Sequence, residues 1–171
     1  MAVGNLEFIK SASGTSVSSL EVTNCFNSKY DVYAVTISKI DVSATGSARF
    51  RFLDSGGTEI SASEYDTAGL RMRTSAAYEE LSYTDSTYIQ YSFSTNDNSA
   101  YAGGQIMYVF NPYDSSSYTF VQYQQSSYAT DTYLGFKSVG VHKSAETISG
   151  LKYYFSGGSF DNLTINVYGV K

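Results

Sequence analysis

The chain has 171 residues, 16% of them charged, a net charge of -5 and one cysteine, and its pI lies near 4.7. An acidic chain without clustered lysine and arginine excludes nucleic acid as a partner, because that affinity rests on cations that neutralise phosphates. A lone Cys25 excludes an intrachain disulfide, and no window reaches the roughly twenty apolar residues of a membrane-spanning helix, so no membrane insertion is expected.

One domain covering residues 1–171 is predicted, since the length suits a single core and nothing resembles a linker. The opening Met1-Ala2-Val3-Gly4-Asn5-Leu6-Glu7-Phe8 lacks the basic segment and apolar run of a secretory signal, so synthesis without secretion is the expectation. Further on, Tyr33-Ala34-Val35-Thr36-Ile37 alternates, with Tyr33, Val35 and Ile37 on one face. Arg49-Phe50-Arg51-Phe52 predicts two inward phenylalanines and two outward arginines, and Leu70-Arg71-Met72-Arg73 repeats the pattern. Between them, Asp54-Ser55-Gly56-Gly57 reads as a turn.

Residues 74–81 are the sole candidate for helix, for a turn or two. Strands are predicted at 88–93, 106–110, 118–123, 133–137, 151–155 and 163–167, with reversals at Asn111-Pro112-Tyr113-Asp114 and Ser156-Gly157-Gly158-Ser159. With ten to twelve such strands the fold class is all-β: an antiparallel β-sandwich, wired as a jelly roll or Greek key.

Between Arg73 and Lys137 there is no lysine or arginine, while tyrosine recurs. From 108 to 133 it falls at every fifth residue, an odd interval that would send successive rings to opposite faces of an unbroken strand, so turns are expected between them. Tyr113, Tyr118, Tyr123 and Tyr128 are the candidate surface-contact residues, suited to stacking on sugar rings or docking a protein. The alternative is that about half of these rings are core.

Groups that carry chemistry are sparse. His142 is the one histidine and reads as a surface or edge residue, with no metal-site spacing around it and no Gly-x-Ser-x-Gly elbow for a nucleophile. Glu79 and Glu80 are adjacent, so on a strand they face opposite ways and do not flank one bond as a glycosidase pair would. Thr95-Asn96-Asp97-Asn98-Ser99 offers oxygens but lacks calcium-loop spacing, and reads as a polar turn. No catalytic residue, metal ligand or cofactor is assigned.

Four segments carry a family resemblance: Met1 to Lys10, Asp31-Val32-Tyr33-Ala34-Val35, Asn111 to Phe120, and the ending Asp161 to Lys171 with its closing Tyr168-Gly169-Val170-Lys171. They resemble virion structural proteins of tailed bacteriophages, especially those of marine cyanobacteria. The resemblance covers nearly the whole chain and lies in strand texture. It implies a β-sandwich on the particle, as a capsid decoration, a fibre or a tail-apparatus subunit, assembled in the host cytoplasm. The implied partners are other virion proteins and further copies of the chain, a trimer being one arrangement that covers open strand edges. It supplies no catalytic residues. Beside this non-enzymatic reading stand a receptor-binding module for host surface glycans and, more remotely, a glycan-degrading enzyme.

Overall fold

The computed structural model describes residues 5–90, 98–129 and 132–171. Among these residues are eleven strands: β1 (Leu6–Gly14), β2 (Ser19–Val22), β3 (Val32–Val42), β4 (Ala48–Asp54), β5 (Tyr65–Arg73), β6 (Ala76–Ser86), β7 (Gly103–Phe110), β8 (Thr119–Ala129), β9 (Thr132–His142), β10 (Ile148–Phe155) and β11 (Phe160–Val170). The single helical element among the described residues is a 3-10 turn, Ser99–Tyr101, with the Asn98 side chain accepting from the Ala100 N–H. Eight strands form one antiparallel sheet in the order β1-β11-β3-β7-β8-β9-β5-β6, and three form a second, β2-β10-β4. The predicted all-β sandwich is therefore the observed architecture.

The core lies between the sheets. The large sheet contributes Tyr33, Val35, Ile37, Met107, Val109, Val121, Tyr123, Ile165 and Val167, and the small one Val22, Phe50, Phe52, Leu151, Tyr153 and Phe155. Each set sits at alternate positions of its strands, as the two-residue period of a half-buried strand requires. The rings pack edge to face, as Phe50 does with Phe52 and with Tyr123. Phe50 and Phe52 are fully buried while Arg49 and Arg51 reach solvent, as their alternation predicts.

The turn chemistry is local and specific. Asp54 Oδ1 accepts from the N–H groups of Gly56 and Thr58, both at 2.8 Å, and Gly57 supplies the positive φ of 81° that a side chain resists. The closing Tyr-Gly-Val-Lys has an equally physical basis. A Cβ placed on Gly169 would lie 2.4 Å from two ring atoms of Tyr30, so the bare glycine gives the buried Tyr30 ring its seat on β11.

Three expectations are corrected. Residues 74–81 are no helix: Thr74 and Ser75 form the loop of a hairpin in which Arg73 opposes Ala76 and Arg71 opposes Glu79. Pairing with β5 outweighs the local helical spacing there. On β5 the alternation is real but its sense is reversed, because Leu70 is 41% exposed whereas Arg71 and Arg73 turn to the other face and share Glu79. The three-stranded sheet is too narrow to cover that end, where a small cluster of Leu134, Phe136 and Leu81 takes its place. His142, expected at the surface, is fully buried beside the rings of Tyr65 and Phe52. Of the strand predicted at 88–93, Ile89 forms an isolated bridge to Phe50, and 91–93 lie outside the described residues, as do 95–97 of the polar turn.

Candidate functional site

The two outer faces of the sandwich differ in kind. On the small sheet the charges satisfy one another: Glu59 binds Arg51 and, at 2.7 Å, Lys152, which also reaches Glu21. Arg49 lies 4.3 Å over the Tyr88 ring. Burial pushes the Glu59 carboxyl up, but the hydrogen bonds from Lys152 and Arg51 outweigh that and hold it below the usual range. This face is a closed network with few groups left to offer.

The outer face of the large sheet is open and weakly charged. Residues directly opposite across a strand pair share a face, so the registers can be followed from edge to edge. One row runs Phe8, Tyr168, Ala34, Tyr108, Gln122, Val139, Ala68 and Ser82 across all eight strands, a span of roughly 34 Å at strand spacing. Beside it Val32 opposes Phe110, Phe110 opposes Phe120, Phe120 opposes Val141, and at the edge Leu6 opposes Val170. Phe8 is 58% exposed, Val139 53% and Phe120 45%. Together these rows form a broad apolar and aromatic band.

The sheet curls. Tyr83 and Thr84 on β6 and Phe110 on β7, separated by β5, β9 and β8, line the same cavity of about 570 Å³. It adjoins a cavity along Leu70, Glu80, Gln122 and Lys137, and a separate cavity of about 710 Å³ lies at the other end, around Tyr78, Gly104, Ile106, Gln124, Ser126, Tyr133 and Gly135. The whole is a trough along β8, β9 and β5, walled by β7 and β6, apolar at one end and lined by tyrosines at the other. Among the described residues, the amides of Gln122 and Gln124 and the ammonium of Lys137 have no protein partner.

The four sequence-predicted tyrosines do not make one patch. Tyr123 is a core residue, 2% exposed, whose hydroxyl donates to the Gln90 carbonyl at 2.7 Å, and burial raises its phenol pKa. The alternation of β8 aims odd positions inward and even positions outward, so Tyr128 faces the trough with no turn between the two rings. Tyr113 and Tyr118 are exposed in the β7–β8 connection, roughly 30 Å along the strand from Tyr128. The residues that define the face instead, Phe8, Ile106, Phe120, Tyr133 and Val139, carry no motif, and their signal is the strand register.

Among the described residues, one cluster holds metal-ligating atoms. Glu64, His142 and Glu146 bring theirs within 4.8 Å of one another, with His142 Nε2 at 3.2 Å from Glu64 and 3.7 Å from Glu146. His142 Nδ1 is buried without a partner. A metal on Nε2 would leave the proton on Nδ1 with no acceptor, contrary to the usual support of a ligating histidine. The arrangement suits an Nε2–H donated to Glu64, tying the end of β9 to the entry of β5, where the Lys143 N–H also donates to the Glu64 carbonyl.

No family model matches the chain, and no curated protein matches it. Among solved structures, an alginate lyase from Alteromonas sp. 272 aligns with TM-score 0.30 and 12% identity over 90% of this chain and 78% of that one. A fructofuranosidase from Schwanniomyces occidentalis gives 0.19 and 6% over 96% and 34%. The infectious bursal disease virus VP2 subviral particle gives 0.14 and 11% over 99% and 37%. At such scores none of these likenesses bears on function.

Proposed function

We propose that the chain is a non-enzymatic structural protein of a tailed-bacteriophage particle, working by assembly. The observation that carries this reading is the apolar band on the outer face of the large sheet, with Phe8, Phe120 and Val139 about half exposed in cross-strand rows that reach both sheet edges. Surface of this extent and chemistry is what a protein partner covers, and covering it removes apolar area from water. The partner is another protein of the capsid or tail, or a further copy of the chain, and assembly takes place in the host cytoplasm. The sequence resemblance to virion structural proteins supplies the setting.

The open edges support the same reading. β1 and β6 end the large sheet, and β6 is exposed along almost its whole length. Such edges are a liability in a free monomer and an asset in an oligomer that covers them. The test is mass spectrometry of purified particles made with the wild-type chain and with a Phe8→Glu, Val139→Glu double variant. Both positions are half exposed, so little loss of stability is expected, and a wild-type circular dichroism spectrum checks that the variant is folded. The wild type is expected in the particle and the variant not. A wild type absent from particles, or a variant incorporated equally well, rejects the proposal.

A further inference from the structure

We infer that the tyrosine-lined end of the trough is a binding site for an extended oligosaccharide. Its floor is unusual for a sheet of this size. Gly104, Ser126 and Gly135 stand directly opposite one another on β7, β8 and β9, so three neighbouring strands carry nothing taller than a hydroxyl. Two positions along the strands on one side stand Ile106, Gln124 and Lys137, again in register. Two positions along on the other side, Tyr128 opposes Tyr133, and the Tyr101 ring packs 4.8 Å from that of Tyr128. Tyr78 overhangs the mouth from β6. The cleft is roughly 13 Å from wall to wall, four residues of strand rise, open over Gly104 and Ser126 and closed beyond Gly135 by the Met72 side chain of β5.

The chemistry selects among occupants. β7, β8 and β9 are each paired on both sides, so the floor has no free main-chain edge with which a peptide could extend the sheet. Recognition therefore falls to side chains. Phenol rings offer flat apolar faces with a polar tip, suited to the C–H face of a pyranose. Gln124, Ser126 and the phenol hydroxyls donate to and accept from sugar hydroxyls, and the Lys137 ammonium donates to them. A nucleic acid would also stack on the rings, but Lys137 and an Arg73 already paired with Glu79 leave its phosphates unneutralised in an acidic protein. A hydroxyl-rich chain of sugar rings uses all the groups present.

The site goes beyond the assembly proposal and is tested apart from it, on the isolated chain. Binding is measured by calorimetry with cellohexaose, laminarihexaose and an oligogalacturonate of the same length, and on an array of bacterial surface polysaccharides. At least one is expected to bind, with about ten-fold weaker affinity in Tyr133→Ala and in Tyr128→Ala, the loss of one stacked ring. Ser126→Phe, at an exposed position of the floor, is expected to abolish binding while leaving the melting temperature unchanged. Retention of the wild-type circular dichroism spectrum shows that each variant is folded. Binding to none of these probes, or equal binding by Tyr133→Ala and Ser126→Phe, overturns the inference.

Discussion

Tyr123 and Tyr128 lie five residues apart on one strand and face opposite ways, so truncating each to alanine separates core from surface in a single experiment. Tyr123→Ala removes a ring packed edge to face against Phe50, 6.5 Å between centroids, which by analogy with other large aromatic deletions costs about 3–5 kcal/mol. It also strips the Gln90 carbonyl of the hydroxyl it accepts from at 2.7 Å, adding ~1 kcal/mol or more. For a domain of this size the sum lowers the melting temperature by roughly 8–24 °C. Tyr128→Ala, on the open face, is expected to stay within about 0.5 kcal/mol of wild type. Tyr123→Phe isolates the hydroxyl and should cost ~1 kcal/mol. Urea unfolding followed by circular dichroism reads all three. Equal stabilities for Tyr123→Ala and Tyr128→Ala, or a larger loss at Tyr128, would refute the parity assigned to β8.

Three further outcomes follow from the same geometry. Gly169→Ala drives a methyl into the Tyr30 ring at 2.4 Å and is expected to cost about 1–3 kcal/mol by overpacking, with Tyr30→Leu restoring part of the loss in thermal melts. Cys25 is buried and its thiol is pushed up to about 12 by desolvation, so an alkylating reagent at pH 8 should label the native protein far more slowly than the protein in urea. Equal rates would count against its burial. Glu59 titrates below its ordinary value in the folded state, so its contribution is full above the unfolded value of about 4.3 and is lost as pH falls through the lower folded value. The stability gap between wild type and Glu59→Gln should accordingly be present at pH 7 and close in acid, and a gap that widened in acid would reverse the assignment.

Much of the fold was legible because its strands obey the two-residue period with apolar residues on the inward side. Phe50 and Phe52, and Ile165 and Val167, are of this kind. β8 was harder, since its inward positions include Gln125 and Ser127, both buried with side-chain atoms that lack partners, and its outward positions include Phe120. Polarity thus points the wrong way at three positions of one strand, and the five-residue spacing of the tyrosines does not say which of Tyr123 and Tyr128 is inside. Leu70 misled for a related reason: the width of the covering sheet, which no local pattern records, decides which face is inside. The candidate face was illegible as a unit because its residues come from all eight strands and meet only through the registers. Of the four predicted contact residues, Tyr128 alone faces the trough from a strand. His142 gave no local sign that Tyr65, Phe52 and Glu64 would close around it.

A reconstruction of the intact particle tests the central claim most directly. The account predicts density for this sandwich with its large-sheet face, around Phe8, Phe120 and Val139, buried against a neighbouring protein and the charged face of Arg49, Arg51 and Lys152 turned away. Density in which the apolar band faces solvent, or a particle that lacks the chain, would contradict it.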